Sequence, residues 1–164
     1  MDGKQSLSNK TGYSFKHEVF TWELYEEVKP LLKEHWEEVA DDKDNIKLDP
    51  NKDYYFLMEE SKSLHCLVCR DIEGKIKGYV VTFIINHPHY KNNKFASIDI
   101  LYLHPKNRKG MLGIKLIKKH EEMMKELNVD VITYHFKPKK DFSNILERLG
   151  HSFFEISYRK YIGE

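Results

Sequence analysis

The apolar positions change rhythm several times along the chain, and each change marks an element. Residues 13–20 alternate through Tyr13 and Phe15 and close on Val19-Phe20, which predicts a first strand. From Thr21, a residue suited to an N-cap, the spacing becomes helical through Trp22, Tyr25, Val28, Leu31, Leu32, Trp36 and Val39. Pro30 inside that run predicts a kink or a break into two helices. Residues 40–53 form an acidic loop, and a short helix over 54–60 follows, opened by Asp49-Pro50. Strand-like runs over 63–71 and 75–85 are joined by Ile72-Glu73-Gly74, a hairpin signal. Residues 86–93 read as a loop, and 95–103 as a third apolar strand ended by His104-Pro105-Lys106-Asn107. The helix over 110–127 has the clearest pattern: Leu112, Leu116, His120, Met123 and Leu127 share one face, with lysines and glutamates opposite. A short strand (129–136), a helix (141–149) stopped at Gly150 and a final strand-like run (153–162) complete the order. The pattern is that of one α/β domain over residues 13–164, behind a polar, flexible segment 1–12.

Composition narrows the class. Hydrophobic residues make up 40% of the 164 and aromatics 13%, enough to fill a core and exclude wholesale disorder. With 27 basic and 26 acidic side chains the net charge is +1, which excludes a global polyanion binder. The only arginines are Arg70, Arg108, Arg148 and Arg159. Arginine is the side chain for bidentate phosphate recognition, so each has to be placed. Cys66 and Cys69 stand three apart on a strand-like run and so point to opposite faces, as two core thiols rather than a redox or metal pair. No apolar run approaches the roughly 20 residues of a membrane span, and residues 1–12 contain no apolar leader stretch. A soluble, cytoplasmic protein is expected.

The most informative stretch is 101–116, LYLHPKNRKGMLGIKL. A buried strand passes through a proline turn into Arg108, two glycines three apart (Gly110 and Gly113) and a strong helix. Glycines allow close backbone approach, and free amides at a helix start attract phosphate oxygens. The stretch therefore describes either an anion cradle or a tight strand-to-helix turn. It matches neither G-x-G-x-x-G nor G-x-x-x-x-G-K-[ST], which excludes the usual nucleotide loops.

Residues 101–122 resemble motif A of the GNAT N-acetyltransferases, a strand followed by Arg/Gln-x-x-Gly-x-Gly/Ala and a helix. Arg108 falls at the Arg/Gln position and Gly113 at the last Gly/Ala. Met111 stands where a glycine is usual, with Gly110 beside it to supply flexibility. The element order over residues 13–162 agrees with the family, whose fold is a mixed, mostly antiparallel central sheet flanked by helices. The H-W-x-E segment at 35–38 and the H-x-H-Y segment at 87–90 are similar to those of small phage-encoded members. The resemblance implies acetyl-CoA as co-substrate, no metal, and an unidentified amine acceptor. It also implies that the backbone of Leu101, Tyr102 and Leu103 pairs with the pantetheine arm. Arg108, Lys109, Gly110, Met111, Leu112, Gly113 and Ile114 would then hold the pyrophosphate. Leu146 stands where the family often has a thiolate-protonating tyrosine.

Transfer to an amine needs a base, and Asp99 is the first candidate. It is a carboxylate on an otherwise apolar strand, where desolvation raises its pKa. The alternative is a buried aspartate capping a β-bulge or paired with a lysine. His35 on the early helices and His89 before the central strand are the next candidates, since imidazole titrates near working pH. His135 is a weaker one, and Tyr158 and Tyr161 could stand in for the tyrosine missing at position 146, the alternative being ordinary aromatic packing. His87 and His89 lack a third ligand at a recognised spacing, so no metal site is expected. Two other functions stay open. Met111 and Leu146 fit a GNAT-like binding or inhibitor protein that has lost catalysis. Lys91, Lys94, Lys106, Lys109, Lys137, Lys139 and Lys140 could form a basic rim for phage-type modification of nucleic-acid bases.

Overall fold

The computed structural model describes residues 12–163. Strands β1 (Tyr13–Glu18), β2 (Leu64–Asp71), β3 (Ile76–His87) and β4 (Tyr90–Leu103) pair antiparallel in succession. The short β5 (Val131–Thr133) joins β4 in parallel, which makes a mixed, mostly antiparallel sheet in the order β1-β2-β3-β4-β5. Helices α1 (Trp22–Val39) and α2 (Lys52–Glu60) precede β2; α3 (Leu112–Glu126) and α4 (Ser143–Arg148) follow β4 and β5. Among the described residues no helix is long and apolar enough to cross a membrane.

β2 is buried on both faces, and its alternation assigns each side to a different layer. Leu67 and Cys69 pack with Val80, Ala96 and Ile98 against Leu112, Leu116, Met123 and Met124 of α3. Cys66 and Val68 face the other way, with Tyr79, Val81 and Tyr102, towards Leu24 of α1. The two thiols thus lie on opposite faces, and burial pushes them up to about 12 and about 11.

Local chemistry sets the helix starts. The Thr21 hydroxyl accepts from the Leu24 amide at 3.2 Å, and Asn51 Oδ1 accepts from the Tyr54 amide at 3.1 Å. Asn51 therefore starts α2 at Lys52, two residues before the expected point. α1 runs as one helix through Pro30, so of the expected kink or break the break does not occur. Its apolar stripe, anchored by buried Leu24 and Tyr25, offsets the one hydrogen bond that proline removes.

Two further expectations are corrected. The loop over 86–93 does not exist: β3 reaches His87 and β4 starts at Tyr90. The His87 ring sits 4.7 Å from Tyr90 and 4.6 Å from Phe95, so cross-strand ring contacts support the hairpin to its tip. The strand expected over 153–162 is irregular, with Phe153, Phe154 and Ile156 exposed and Tyr158 94% exposed. β5 supplies only three residues, too short an edge to template another strand.

Arg70 is no simple surface residue. Its guanidinium bonds Glu18 and Glu27 and donates to the Gly74 carbonyl at 2.8 Å, tying β2 to β1, α1 and the hairpin turn. Gly78 is required sterically. A Cβ there would stand 2.8 Å from the Tyr102 carbonyl oxygen and 2.9 Å from Leu103 Cδ1. Gly78→Ala should therefore lower stability by about 1–3 kcal/mol, read as a denaturant midpoint shift at unchanged m.

Behind the sheet, His120 of α3 is fully buried. Its ring nitrogens bond Thr82 Oγ1 at 2.7 Å and Tyr134 Oη at 2.8 Å. Burial lowers its pKa to about 4, against an ordinary value of 6.5. The unfolded chain then binds a proton that the folded chain refuses, so stability should fall as pH drops from about 6.5 towards 4. Thermal melts across that window should show the slope, and His120→Gln should flatten it.

Candidate active site

The sheet opens at β4. β5 pairs only with Phe95, Ala96 and Ser97, whereas β4 continues to Leu103. From Ile98 onward, one side of β4 has no strand beside it among the described residues. At the same point the register with β3 slips: Thr82 pairs with Ile98 and Val81 with Ile100, leaving Asp99 as the extra residue of a bulge. Ile98 and Leu101 pack towards α3 and Ile100 towards α1. The bulge brings Asp99 to α2, where Tyr55 Oη donates to Asp99 Oδ2 at 3.0 Å.

Asp99 is open to solvent on one side, yet protein packs round it closely enough that desolvation raises its pKa, partly opposed by the Tyr55 hydrogen bond. Burial and the Asp99 charge push the Tyr55 phenol upward, so it stays protonated and donates. Beside this pair lies an apolar cavity of ≈ 40 Å³ under α1 and α2, lined by Leu24, Val28, Tyr55, Tyr79, Val81 and Ile100 among others. Tyr79 is 2% exposed and its hydroxyl has no partner. An unmade buried hydrogen bond costs about 1–3 kcal/mol, which makes that hydroxyl a feature to explain.

The same face carries His35, its ring 5.5 Å from that of Tyr102. Burial lowers the His35 pKa, so the imidazole is neutral at pH 7. Tyr102 Oη donates to Glu34 at 3.0 Å. Asp99 and His35 thus face α1 and α2 together. His89 does not join them. It is exposed at the β3–β4 turn, roughly 30 Å from Asp99 along nine strand residues. His135 Nε2 lies 3.3 Å from Ser97 Oγ, where β4 and β5 part.

At the far end of β4, α3 starts at Leu112 with no side-chain cap on its first amides. Gly110 has φ +87°, a left-handed turn that aims the chain into the helix. At Gly113 an added Cβ would make only ordinary contact, at 3.6 Å from Leu103, so internal packing does not demand glycine there. A second cavity, ≈ 310 Å³, lies beside this helix start between Tyr13, Lys106, Asn107, Lys109, Met111 and Lys115. Three lysines and a helix N-terminus give it a locally positive field. Lys106 belongs to the basic rim expected from the sequence, and Lys115 to the polar face of the α3 pattern. Tyr13 and Asn107, joined by a 2.9 Å bond, carried no sequence signal, because β1 lies far away in the chain.

Arg108 takes a different place from the expected one. Its Nε donates to the Leu103 carbonyl at 2.8 Å, and its Nη2 to Glu38 at 2.6 Å. It clamps the end of β4 to α1, and this pairing with Arg108 holds the Glu38 carboxyl down at about 2. Met111 is exposed at the helix start, where no side chain caps the first amides. Leu146 is a buried apolar residue of α4. Of the lysines read as a basic rim, Lys137 and Lys139 pair with Asp41, and Lys140 pairs with Glu38. Among the described residues no group of three or more His, Cys, Asp or Glu is placed to hold a metal.

The sequence model of the acetyltransferase (GNAT) family matches residues 22–142, which span both helices of the Asp99 face, the open edge and α3. The chain belongs to this family. GNAT proteins use acetyl-CoA as co-substrate and an amine as acceptor. No curated protein matches the chain in sequence. The fold is similar to that of an aminoglycoside acetyltransferase from an uncultured soil metagenomic sample, at TM-score 0.72 and 13% identity over 94% of this chain and 99% of that one. A ribosomal-protein-alanine N-acetyltransferase from Brucella melitensis biovar Abortus 2308 gives 0.66 and 16% over 92% and 100%. Glucosamine-6-phosphate N-acetyltransferase from Arabidopsis thaliana gives 0.64 and 14% over 92% and 99%. For a GNAT protein built this way, CoA should bind in a salt-dependent manner. Replacing Lys109 and Lys115 together by alanine should weaken it about tenfold by calorimetry.

Proposed function

We propose that the protein is an acyl-CoA-dependent N-acyltransferase that transfers its acyl group to an amine by direct attack. The observation that carries this reading is the alignment of three features along β4. The helix start with its lysines accepts the pyrophosphate, and the open edge from Leu101 to Leu103 takes the pantetheine amides by strand-like hydrogen bonding. The Asp99 bulge lies at the end where the thioester would arrive.

In this scheme Asp99 takes the proton from the incoming amine and Tyr55 holds the carboxylate in place. The amine nitrogen forms the new C–N bond, the C–S bond breaks, and CoA leaves as a thiolate that takes up a proton. Leu146 cannot supply that proton. We assign that role to His135, whose ring lies beside Ser97 where β4 and β5 part. His35 is neutral and tucked against Tyr102, which suits shaping the acceptor side better than proton transfer.

The ion pairs of Lys137, Lys139 and Lys140 count against a nucleic-acid acceptor, because three of the seven lysines expected to meet phosphates are already neutralised by Asp41 and Glu38.

Asp99→Asn should lower kcat by about 10²–10³-fold with any accepted amine, at little cost in CoA affinity. Activity in the parent protein should fall as pH drops through the raised Asp99 pKa, because only the carboxylate can take the proton. A pH–rate profile that keeps its acid limb in the Asn variant would assign the base elsewhere.

A further inference from the structure

Helix α2 covers its side of the sheet only in part. Residues directly opposite each other on paired strands share a face. Phe83 therefore lies beside Ser97 and Ile85 beside Phe95, on the side that carries α1 and α2. Tyr54 and Tyr55 of α2 reach Phe83, with ring centroids 5.8 and 6.0 Å away. Beyond that contact Ile85 is 47% exposed. Phe95 then stacks on the exposed Tyr90 ring at 5.6 Å. An apolar strip thus runs uncovered from the edge of α2 to the tip of the β3–β4 hairpin.

One end of the strip is the carboxylate of Asp99. Tyr55 holds Asp99 with its hydroxyl and packs on Phe83 with its ring, so carboxylate and strip share a wall. Ser97 stands between them on β4, with the His135 ring at its other side. From Asp99 to the Ile85–Phe95 pair is roughly 13 Å along the strand. Over that length the two strands place no lysine, no arginine and no second carboxylate on this face. A polyamine or an amino sugar carries polar groups along its whole length and would bury them here without partners. An amine with one basic nitrogen and a flat apolar body matches both ends of the strip. Its nitrogen finds the carboxylate, and its body finds ring edges and faces at stacking distance.

We infer that the acceptor is a monoamine bearing an aryl or similarly flat apolar group, with its nitrogen at Asp99 and its body over Phe83, Ile85 and Phe95. This rests on the acyl-transfer reading and names the acceptor class. Donor and acceptor then do not compete for space. The acyl-CoA approaches Asp99 along the open edge from Leu103, and the amine approaches it along the face from Phe95.

The test runs the full chain with acetyl-CoA against 2-phenylethylamine, tryptamine, ethylamine, spermidine, a lysine peptide and glucosamine 6-phosphate, reading released CoA with a thiol reagent. Phenylethylamine should exceed ethylamine in kcat/KM by about tenfold, the effect of taking one face of a ring out of water. Saturation-transfer NMR without acyl-CoA should show the phenyl protons of that amine closest to the protein. Ile85→Asp, at a half-exposed position, should cut both signals about tenfold, favour spermidine and leave acetyl-CoA affinity unchanged by calorimetry. Phe95→Leu, which keeps the position apolar, should cost less. If acetyl-CoA binds but the aryl amines are refused, or a polar amine is preferred, the acceptor class falls and the acyltransferase reading stands. The same holds if sedimentation shows a dimer that Ile85→Asp dissociates, since the strip is then an interface between copies. If acetyl-CoA does not bind, both fall.

Discussion

A strand that loses its neighbour must find other partners for its peptide groups, and this constraint organises the protein. β5 ends at Thr133 after three pairs, while β4 runs on to Leu103. The exposed N–H and C=O groups between Ile98 and Leu103 are a ready template for an extended, amide-bearing ligand. Arg108 satisfies the last of them, the Leu103 carbonyl, and ties that end of the strand to α1. The bulge at Asp99 falls where the second neighbour is lost. One side of β4 is then free for a ligand, and the same short segment turns a carboxylate towards the helices on the other face.

Charge is distributed to match. Over the whole chain it nearly cancels, yet the lysines divide into two sets. Lys137, Lys139 and Lys140 are bonded to Asp41 and Glu38, which hold the segment after β5 against the end of α1. Lys106, Lys109 and Lys115 instead surround the start of α3, whose uncapped amides add their own positive field. A net charge of +1 therefore coexists with a local concentration of positive charge at the start of α3.

Much of the fold was legible because it follows from periodicity. The α3 pattern, the thiols on opposite faces of β2 and the Thr21 cap all depend on spacing within a few residues. Asp99 was legible for a related reason, being the one carboxylate on an apolar strand. Features that depend on a distant partner were not legible. The role of Arg108 follows from Glu38, seventy residues earlier in the chain. Lys106 and Lys115 become one site only when β4 and α3 meet, and the run over 153–162 has the pattern of a strand but finds no adequate edge. Tyr55 and Tyr79 carry no signal in the sequence, and only α2 and β3 place them beside Asp99 and the cavity.

By itself, then, the amino-acid sequence determined the elements, the two-faced core, the strand–turn–helix at 101–116 and the family to which these belong. Each of these is encoded in local spacing and in side chains that act on their own neighbours. The tertiary structure alone decided which cations face an anion and which are already paired. It also decided that Arg108 braces α1, that His89 lies far from Asp99 and that one tyrosine hydroxyl is buried without a partner. These are consequences of distance in space, and contacts between residues forty to a hundred positions apart leave no periodic trace in the chain.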